Sequence, residues 1–113
     1  MKVVRKIATN VIYWPGFPLV RNGYIEIFED GTLNVVDTGG ELKEIPALEF
    51  FAGMIVPDFV YYKCSSFAVG NSLVDLLDPL YSEVKAEMMR PAIIEGADLR
   101  QLVWTDNAIV RML

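Results

Sequence analysis

Short apolar runs separated by turn residues fill the first half of the chain, a pattern typical of β-strands. The clearest run, Gly23–Glu29, largely alternates apolar and polar residues, as a half-buried strand does. Asp30-Gly31 separates it from the run Thr32–Val36, which predicts a β-hairpin with a type I′ turn. Other strands are predicted at residues 3–7, 11–13, 48–51 and 54–56, with turns or loops at 14–18 and 38–40.

The last of these strands leads into a segment for which the sequence allows two forms. Pro57 is expected to end the strand or to lie at its edge, since proline cannot donate a hydrogen bond to a neighbouring strand. Residues 59–62 could extend the strand, because they are aromatic or β-branched.

In the second half, apolar residues recur at helical spacing. Ser72 with Asp75 three residues later resembles a capping box, and Asp78-Pro79 repeats the signal for a helix start. The pattern therefore predicts a short turn followed by a longer helix that ends near Arg90-Pro91. The apolar face would comprise Leu73, Leu76, Leu77, Leu80, Tyr81, Val84 and Met88.

A last helix is predicted after a connection marked by Pro91 and Gly96. Asp98 and Gln101 would cap it, and its apolar face would run from Leu99 to Leu113 at the C-terminus. We therefore expect one α+β domain over residues 1–113. Residues 1–62 would form a small, mostly antiparallel sheet of about five strands, and residues 71–113 would form a helical part of two or three helices.

Composition adds an expectation of association. The chain has 113 residues, of which 53% are hydrophobic, so one domain with an ample core is expected. A small domain also has much surface to cover with few polar residues, and some apolar surface is expected to meet another chain. The alternative is a well-filled core. We expect a homodimer.

Charge and cysteine content exclude several classes of protein. A net charge of −5 argues against nucleic-acid binding, which needs a basic face. The apolar runs are far shorter than the ~20 residues of a membrane span, and charges at Lys2, Arg5 and Lys6 argue against a signal peptide. The single cysteine, Cys64, cannot form an internal disulfide. A cytoplasmic protein is therefore expected.

Several segments in order resemble metal-dependent hydrolases of the amidohydrolase superfamily, particularly its chlorohydrolase-like and deaminase-like members. These are the hairpin at 22–36, the strand at 48–57 and the continuation Pro57–Ser65. The resemblance implies a small β-sandwich built from both chain ends, into which a metal-binding (β/α)8 barrel is inserted.

The family's metal-binding residues have no counterpart here. The family continues Pro-Gly-Phe-(Val/Ile)-(Asn/Asp)-x-His-x-His, and Lys63 and Ser65 stand where the two histidines would bind metal, while Asp58 replaces the glycine. The chain contains no histidine. A charged lysine repels a cation, and serine is a weak ligand. A barrel needs roughly 200 residues, so we predict no catalytic site, no metal and no cofactor.

The end of the chain is also similar to this family. Residues 99–108 resemble the helix near the end of such enzymes, and residues 72–77 resemble, more weakly, the helix before it. The resemblance then implies a protein whose barrel is mostly deleted and whose last helices follow its first strands. The final strands of the family's sandwich are expected to be missing.

Other candidate sites favour ordinary structural roles. A nucleophilic Cys64 would need a base, and Lys63, its neighbour, would point to the opposite face of a strand; a small buried residue is the preferred interpretation. Ser65 and Ser66 meet the same difficulty. Lys63 could instead pair with a carboxylate at a dimer contact. The pairs Glu26 with Glu29 and Glu83 with Glu87 are interpreted as solvated surface residues.

Three functional hypotheses follow. The leading one is a non-catalytic protein of amidohydrolase descent that associates with itself or with a full-length relative, through an interface that includes Phe59, Tyr61, Tyr62 and Trp104. The second is a C–N hydrolase subunit whose site another chain completes. The third is a small-ligand binding module with a pocket lined by some of the many aromatic residues.

Overall fold

The computed structural model describes residues 2–39, 45–82 and 90–113. They form strands, one α-helix (α1) and two short 3-10 helices. The strands are β1 Val3–Ala8, β2 Val11–Ile12, β3 Val20–Arg21, β4 Tyr24–Phe28, β5 Leu33–Val36, β6 Leu48–Phe50, β7 Met54–Pro57, β8 Pro91–Glu95 and β9 Ile109–Met112. The helices are α1, Leu73–Tyr81, and the 3-10 helices Asp58–Tyr62 and Cys64–Ser66.

The strands form two mixed sheets instead of the single, mostly antiparallel sheet that was predicted. The first sheet has the order β5-β4-β1-β6, and the second has the order β3-β2-β7-β8-β9. One neighbouring pair in each sheet is parallel, β1 with β6 and β2 with β7. The regular secondary structure of the described residues is mostly strand, and only the coarse α+β class agrees with the prediction.

The parallel pairs arise because two segments run side by side and change sheets at the same place. The first segment passes from β1 to β2 through Thr9-Asn10, and the second passes from β6 to β7 through Ala52-Gly53. The Asn10 side chain accepts a hydrogen bond from the Gly53 N–H at 2.9 Å, and the Val11 N–H donates to the Gly53 carbonyl at 3.2 Å. These bonds hold the corner at which the two sheets meet.

Two apolar cores make the domain three layers thick. The first core lies between the sheets and contains Ile7, Ile25 and Ile55. The second lies on the opposite face of the second sheet, where α1 packs against that sheet. Its members include Met54, Val56, Ala92, Ile94, Leu73, Leu77 and Tyr81. All four residues of β7 are buried, because this strand lies between the two cores.

The predicted hairpin is present as β4 and β5, but its turn is different. Phe28 N–H donates to the Thr32 carbonyl at 2.9 Å, which closes a three-residue loop. Gly31 has a positive φ of 88°, whereas Asp30 does not, so the turn is not type I′. The Asp30 carboxylate accepts bonds from the N–H and hydroxyl of Thr32, and this interaction accounts for the longer loop.

Helix α1 begins where the sequence indicated. The Ser72 hydroxyl accepts a hydrogen bond from the Asp75 N–H at 3.4 Å, as an N-cap should. Pro79 lies inside α1 and does not start a second helix. The helix continues across it because Leu73, Leu77 and Tyr81 are all buried on one face. The predicted continuation through Val84 and Met88 falls outside the described residues.

The predicted last helix is wrong. Asp98 does accept bonds from the Arg100 and Gln101 N–H groups, both at 3.1 Å. Leu102 then adopts a φ of 56°, which reverses the chain, and Val103 pairs with Asp98. Residues 105–107 are poor helix formers. Residues 109–112, which were predicted to be helical, form β9.

Strands β8 and β9 also correct two further expectations. Pro91, expected in a connection, is the first residue of β8 and lies opposite Pro57, a place where a strand tolerates proline. The expectation that residues 71–113 form a helical part is wrong at residues 91–95 and 109–112, because β8 and β9 extend the second sheet beyond β7. Residues 59–62 belong to a 3-10 helix and do not extend β7.

The corner predicts a strong effect of one glycine. Gly53 has a φ of 148°, and a Cβ there would lie 2.6 Å from the Ile94 carbonyl oxygen. We expect Gly53→Ala to lower the free energy of unfolding by about 2 kcal/mol or more, measured by urea denaturation. Gly70→Ala is the control, since Gly70 has a φ of 92° with no atom within 4 Å. Equal losses in the two variants would contradict this account.

Candidate interaction surface

The segment that follows β7 is anchored to the core by one buried hydroxyl. The Tyr81 hydroxyl on α1 donates to the Pro57 carbonyl at 2.6 Å and accepts from the Val60 N–H at 3.2 Å. The Asp58 N–H donates to the Arg90 carbonyl at 2.9 Å. The first 3-10 helix is thus fixed to both α1 and the residue before β8.

A second tyrosine supports this anchor. The rings of Tyr13 and Tyr81 lie 6.0 Å apart, and the Tyr13 hydroxyl donates to the Asp78 carboxylate. Burial raises the pKa of both tyrosines, and the bond to Asp78 raises the pKa of Tyr13 further. Both hydroxyls therefore stay protonated donors at neutral pH.

The anchored helix carries two exposed aromatic side chains, which we call the aromatic pair. Tyr61 is 47% exposed and Tyr62 is 68% exposed. Their ring centroids lie 5.3 Å apart at an interplanar angle of 83°, an edge-to-face arrangement that fixes each ring against the other. The pair is a preformed apolar surface, and its two hydroxyl groups can form hydrogen bonds with a partner.

The 3-10 helix that carries the aromatic pair packs against strand β9, and β9 adds further apolar surface. Strand β9 is the last strand of the second sheet. Ile109 is 56% exposed and Met112 is 39% exposed. We define the open edge as the side of β9 that faces away from β8. The aromatic pair and the open edge together form the candidate interaction surface.

Lys63 and Ser65, which the sequence analysis compared with metal-binding histidines, lie on the same segment. Lys63 is exposed, and its Nζ lies 5.6 Å from the centroid of the Phe59 ring. Ser65 is exposed in the second 3-10 helix. Within the described ranges, no group of three or more Cys, Asp or Glu side chains is arranged to hold a metal ion.

Cys64 is not placed as expected for a strand residue. It is half-buried at the start of the second 3-10 helix, so the prediction that Lys63 and Cys64 point to opposite faces of a strand does not apply. Its Sγ lies 3.7 Å from the Tyr61 carbonyl oxygen, and the Ser66 hydroxyl donates to the Lys63 carbonyl. Both groups are bonded to backbone oxygens of their own turn.

The four predicted interface residues are split between surface and core. Tyr61 and Tyr62 are exposed, whereas Phe59 is half-buried against Tyr81 with ring centroids 6.3 Å apart. Trp104 is 7% exposed and packs edge-to-face on Phe67, so it belongs to the second core. Ile109 and Met112 escaped the sequence analysis, which assigned them to a helix.

Other sequence candidates lie away from this surface. Glu26 accepts a bond from the Asn34 side chain at 3.4 Å, while Glu83 and Glu87 fall outside the described residues. Trp14 and Phe17 line an open cleft next to the turn at residues 15–17. Neither tyrosine of the aromatic pair lines that cleft.

Comparisons with known proteins found no match. No family model matches the chain, and no curated protein or solved structure matches it either. Among the described residues, no helix is both long enough and apolar enough to cross a membrane.

The anchor predicts unequal effects of two matched substitutions. Tyr81→Phe removes two buried hydrogen bonds and leaves the Pro57 carbonyl without its donor, so we expect a loss of about 1–3 kcal/mol in the free energy of unfolding. Tyr13→Phe removes one exposed bond, and we expect a smaller loss. Urea denaturation measures both, and a larger loss for Tyr13→Phe would contradict this assignment.

The same tyrosines predict a loss of stability at high pH. Their folded pKa values are raised above the unfolded value of about 10. Their contribution is therefore complete below about pH 10 and is lost as the pH rises through the folded values. We expect the urea midpoint to fall above about pH 10. The fall should be shallower in the Tyr13→Phe/Tyr81→Phe double variant, and equal slopes would contradict the prediction.

Proposed function

We propose that this protein is a non-catalytic relative of the amidohydrolase superfamily that acts by binding another protein chain, in the first place a second copy of itself. The observation that carries the proposal is the aromatic pair, exposed on a segment that Tyr81 ties to the core. A partner that binds the aromatic pair would bury two rings that are now exposed to water.

The physical character of the aromatic pair supports an association role. Tyrosine is enriched among residues that dominate binding energy, since its ring buries much area and its hydroxyl can still bond at the rim. A side chain that is already ordered loses less conformational entropy on binding. Tyr61 and Tyr62 order each other, and Lys63 beside them offers a positive charge to a partner's carboxylate.

The order of elements supports descent from the superfamily. The hairpin β4–β5 and the strands β6 and β7 occur in the order that the resemblance implies. Strands β8 and β9 come from the last part of the sequence and extend the sheet that contains β2 and β7. That arrangement agrees with a sandwich built from both ends of a chain.

The residues after β7 favour a non-catalytic role. Lys63 and Ser65 are exposed on a surface turn, and the sequence contains no histidine to replace the family's ligands. A hydrolase subunit completed by another chain would have to gather a cation next to the Lys63 ammonium, which repels it. A full-length relative as partner and a cytoplasmic location remain predictions.

Replacing the aromatic pair tests the association. We expect the Tyr61→Ser/Tyr62→Ser double variant to raise the dimer Kd by about tenfold or more, since a buried tyrosine at an interface contributes more than about 1 kcal/mol. Sedimentation velocity over a concentration series measures the Kd. Val4→Ser/Phe50→Ser is the control, because Val4 and Phe50 are 57% and 59% exposed on the other sheet.

Two results would overturn the proposal. Equal effects of the two double variants would remove the aromatic pair from the interface. One tightly bound zinc ion per chain, found by metal analysis of the purified protein, would rule out the non-catalytic assignment.

A further inference from the structure

The backbone of β9 has hydrogen-bonding groups on a side that no described strand covers. The Leu113 N–H donates to the Pro91 carbonyl at 3.4 Å, and Arg111 lies opposite Ile93. Bonding alternates along antiparallel strands, so Ile109, Arg111 and Leu113 direct their backbone groups to β8. The N–H and C=O groups of Val110 and Met112 therefore point outward along the open edge.

This edge lacks three of the features that keep sheet edges apart. Proteins protect exposed edges with proline, lysine or a bulge, and β9 has none of these. Its one charged residue, Arg111, is paired with Glu95 in β8, with Nε 2.7 Å from Oε1. The neighbouring side chains, Ile109 and Met112, are apolar and exposed.

We infer that a second copy of this chain pairs with the open edge, β9 antiparallel to β9 about a two-fold axis, so that the second sheet continues into its copy. The inference rests on the proposed function and names its partner and its contact. A strand edge about a two-fold axis is self-complementary, since each copy offers the same donors and acceptors in opposite order.

Charge distinguishes two registers of this pairing. An axis through Arg111 would place two guanidinium groups directly opposite each other, which is destabilising. An axis through Val110 places Arg111 opposite Ile109 of the second copy. Glu95 of the second copy is next in this line of side chains across the strands, because Glu95 lies opposite Ile109 within each chain. Each Arg111 thereby faces toward a carboxylate in the other copy as well as in its own.

Interface size explains why the aromatic pair belongs to the same contact. A stable interface buries about 1,600 Å² in total, and two four-residue strands alone bury less. The first 3-10 helix packs beside β9, so Tyr61 and Tyr62 can extend the contact on the face that also carries Val110 and Met112. The strand pairing sets the register, and the aromatic rings supply apolar area.

Amide hydrogen exchange tests the backbone pairing directly. The N–H groups of Val110 and Met112 should exchange about tenfold or more slowly at protein concentrations well above the dimer Kd than well below it. The Arg111 N–H, directed to β8 within each chain, is the internal control and should change far less. Concentration-independent exchange at Val110 and Met112, in protein shown to be dimeric, would overturn the inference.

A matched charge substitution tests the register. We expect Ile109→Lys to raise the dimer Kd about tenfold or more, because the new ammonium lies opposite Arg111 of the second copy. The fold should tolerate it, since Ile109 is 56% exposed and lies opposite Glu95. Phe50→Lys makes the same change in net charge at a residue that is 59% exposed, and it should leave the Kd unchanged or lower it.

The combined results separate this inference from the proposed function. A dimer that Tyr61→Ser/Tyr62→Ser dissociates and Ile109→Lys leaves intact would support association and overturn strand pairing in the proposed register. A wild-type chain that stays monomeric at about 200 μM would overturn both self-association and strand pairing. Weakening by Ile109→Lys alone, together with slowed exchange at Val110 and Met112, would support strand pairing and remove the aromatic pair.

Discussion

Strand β7 is the element on which the rest of the structure depends, because it is buried on both faces and paired on both sides. Ile55 points into the core between the sheets, whereas Met54 and Val56 point into the core under α1. β2 pairs with it in parallel and β8 in antiparallel orientation. A strand so enclosed tolerates no polar residue and no shift of register, since a shift by one residue would exchange the two cores.

The ends of β7 determine where the chain can present a surface. Gly53 lies at the corner of the two sheets, directly before the strand, and Pro57 ends the strand opposite Pro91. The Pro57 carbonyl has no strand partner beyond this point, and the Tyr81 hydroxyl takes that place. The chain therefore turns into 3-10 helices at once, and the first of them packs beside β9.

Local chemistry was predictable from the sequence, and non-local pairing was not. The hairpin at Asp30-Gly31 and the cap at Ser72 depend on neighbouring residues, and both are present. Ile109 and Val110 fit a helical spacing as well as a strand, and only pairing with β8 distinguishes the two. The positive φ of Leu102, which prevents the last helix, leaves no mark in composition or periodicity. The aromatic pair could be predicted from its residue types. The open edge was missed, because the sequence pattern assigned β9 to a helix.

The pairing of β7 with β8 has a consequence for synthesis of the protein. Chains leave the ribosome from the N-terminus at about 5–20 residues per second, and domains fold as their segments become available. β7 can meet β2 as soon as both have emerged, but β8 follows only after the 3-10 helices and α1. Until then the nascent chain carries an apolar strand with one unpaired side. During this interval the unpaired side of β7 is open to aggregation and to binding by a chaperone.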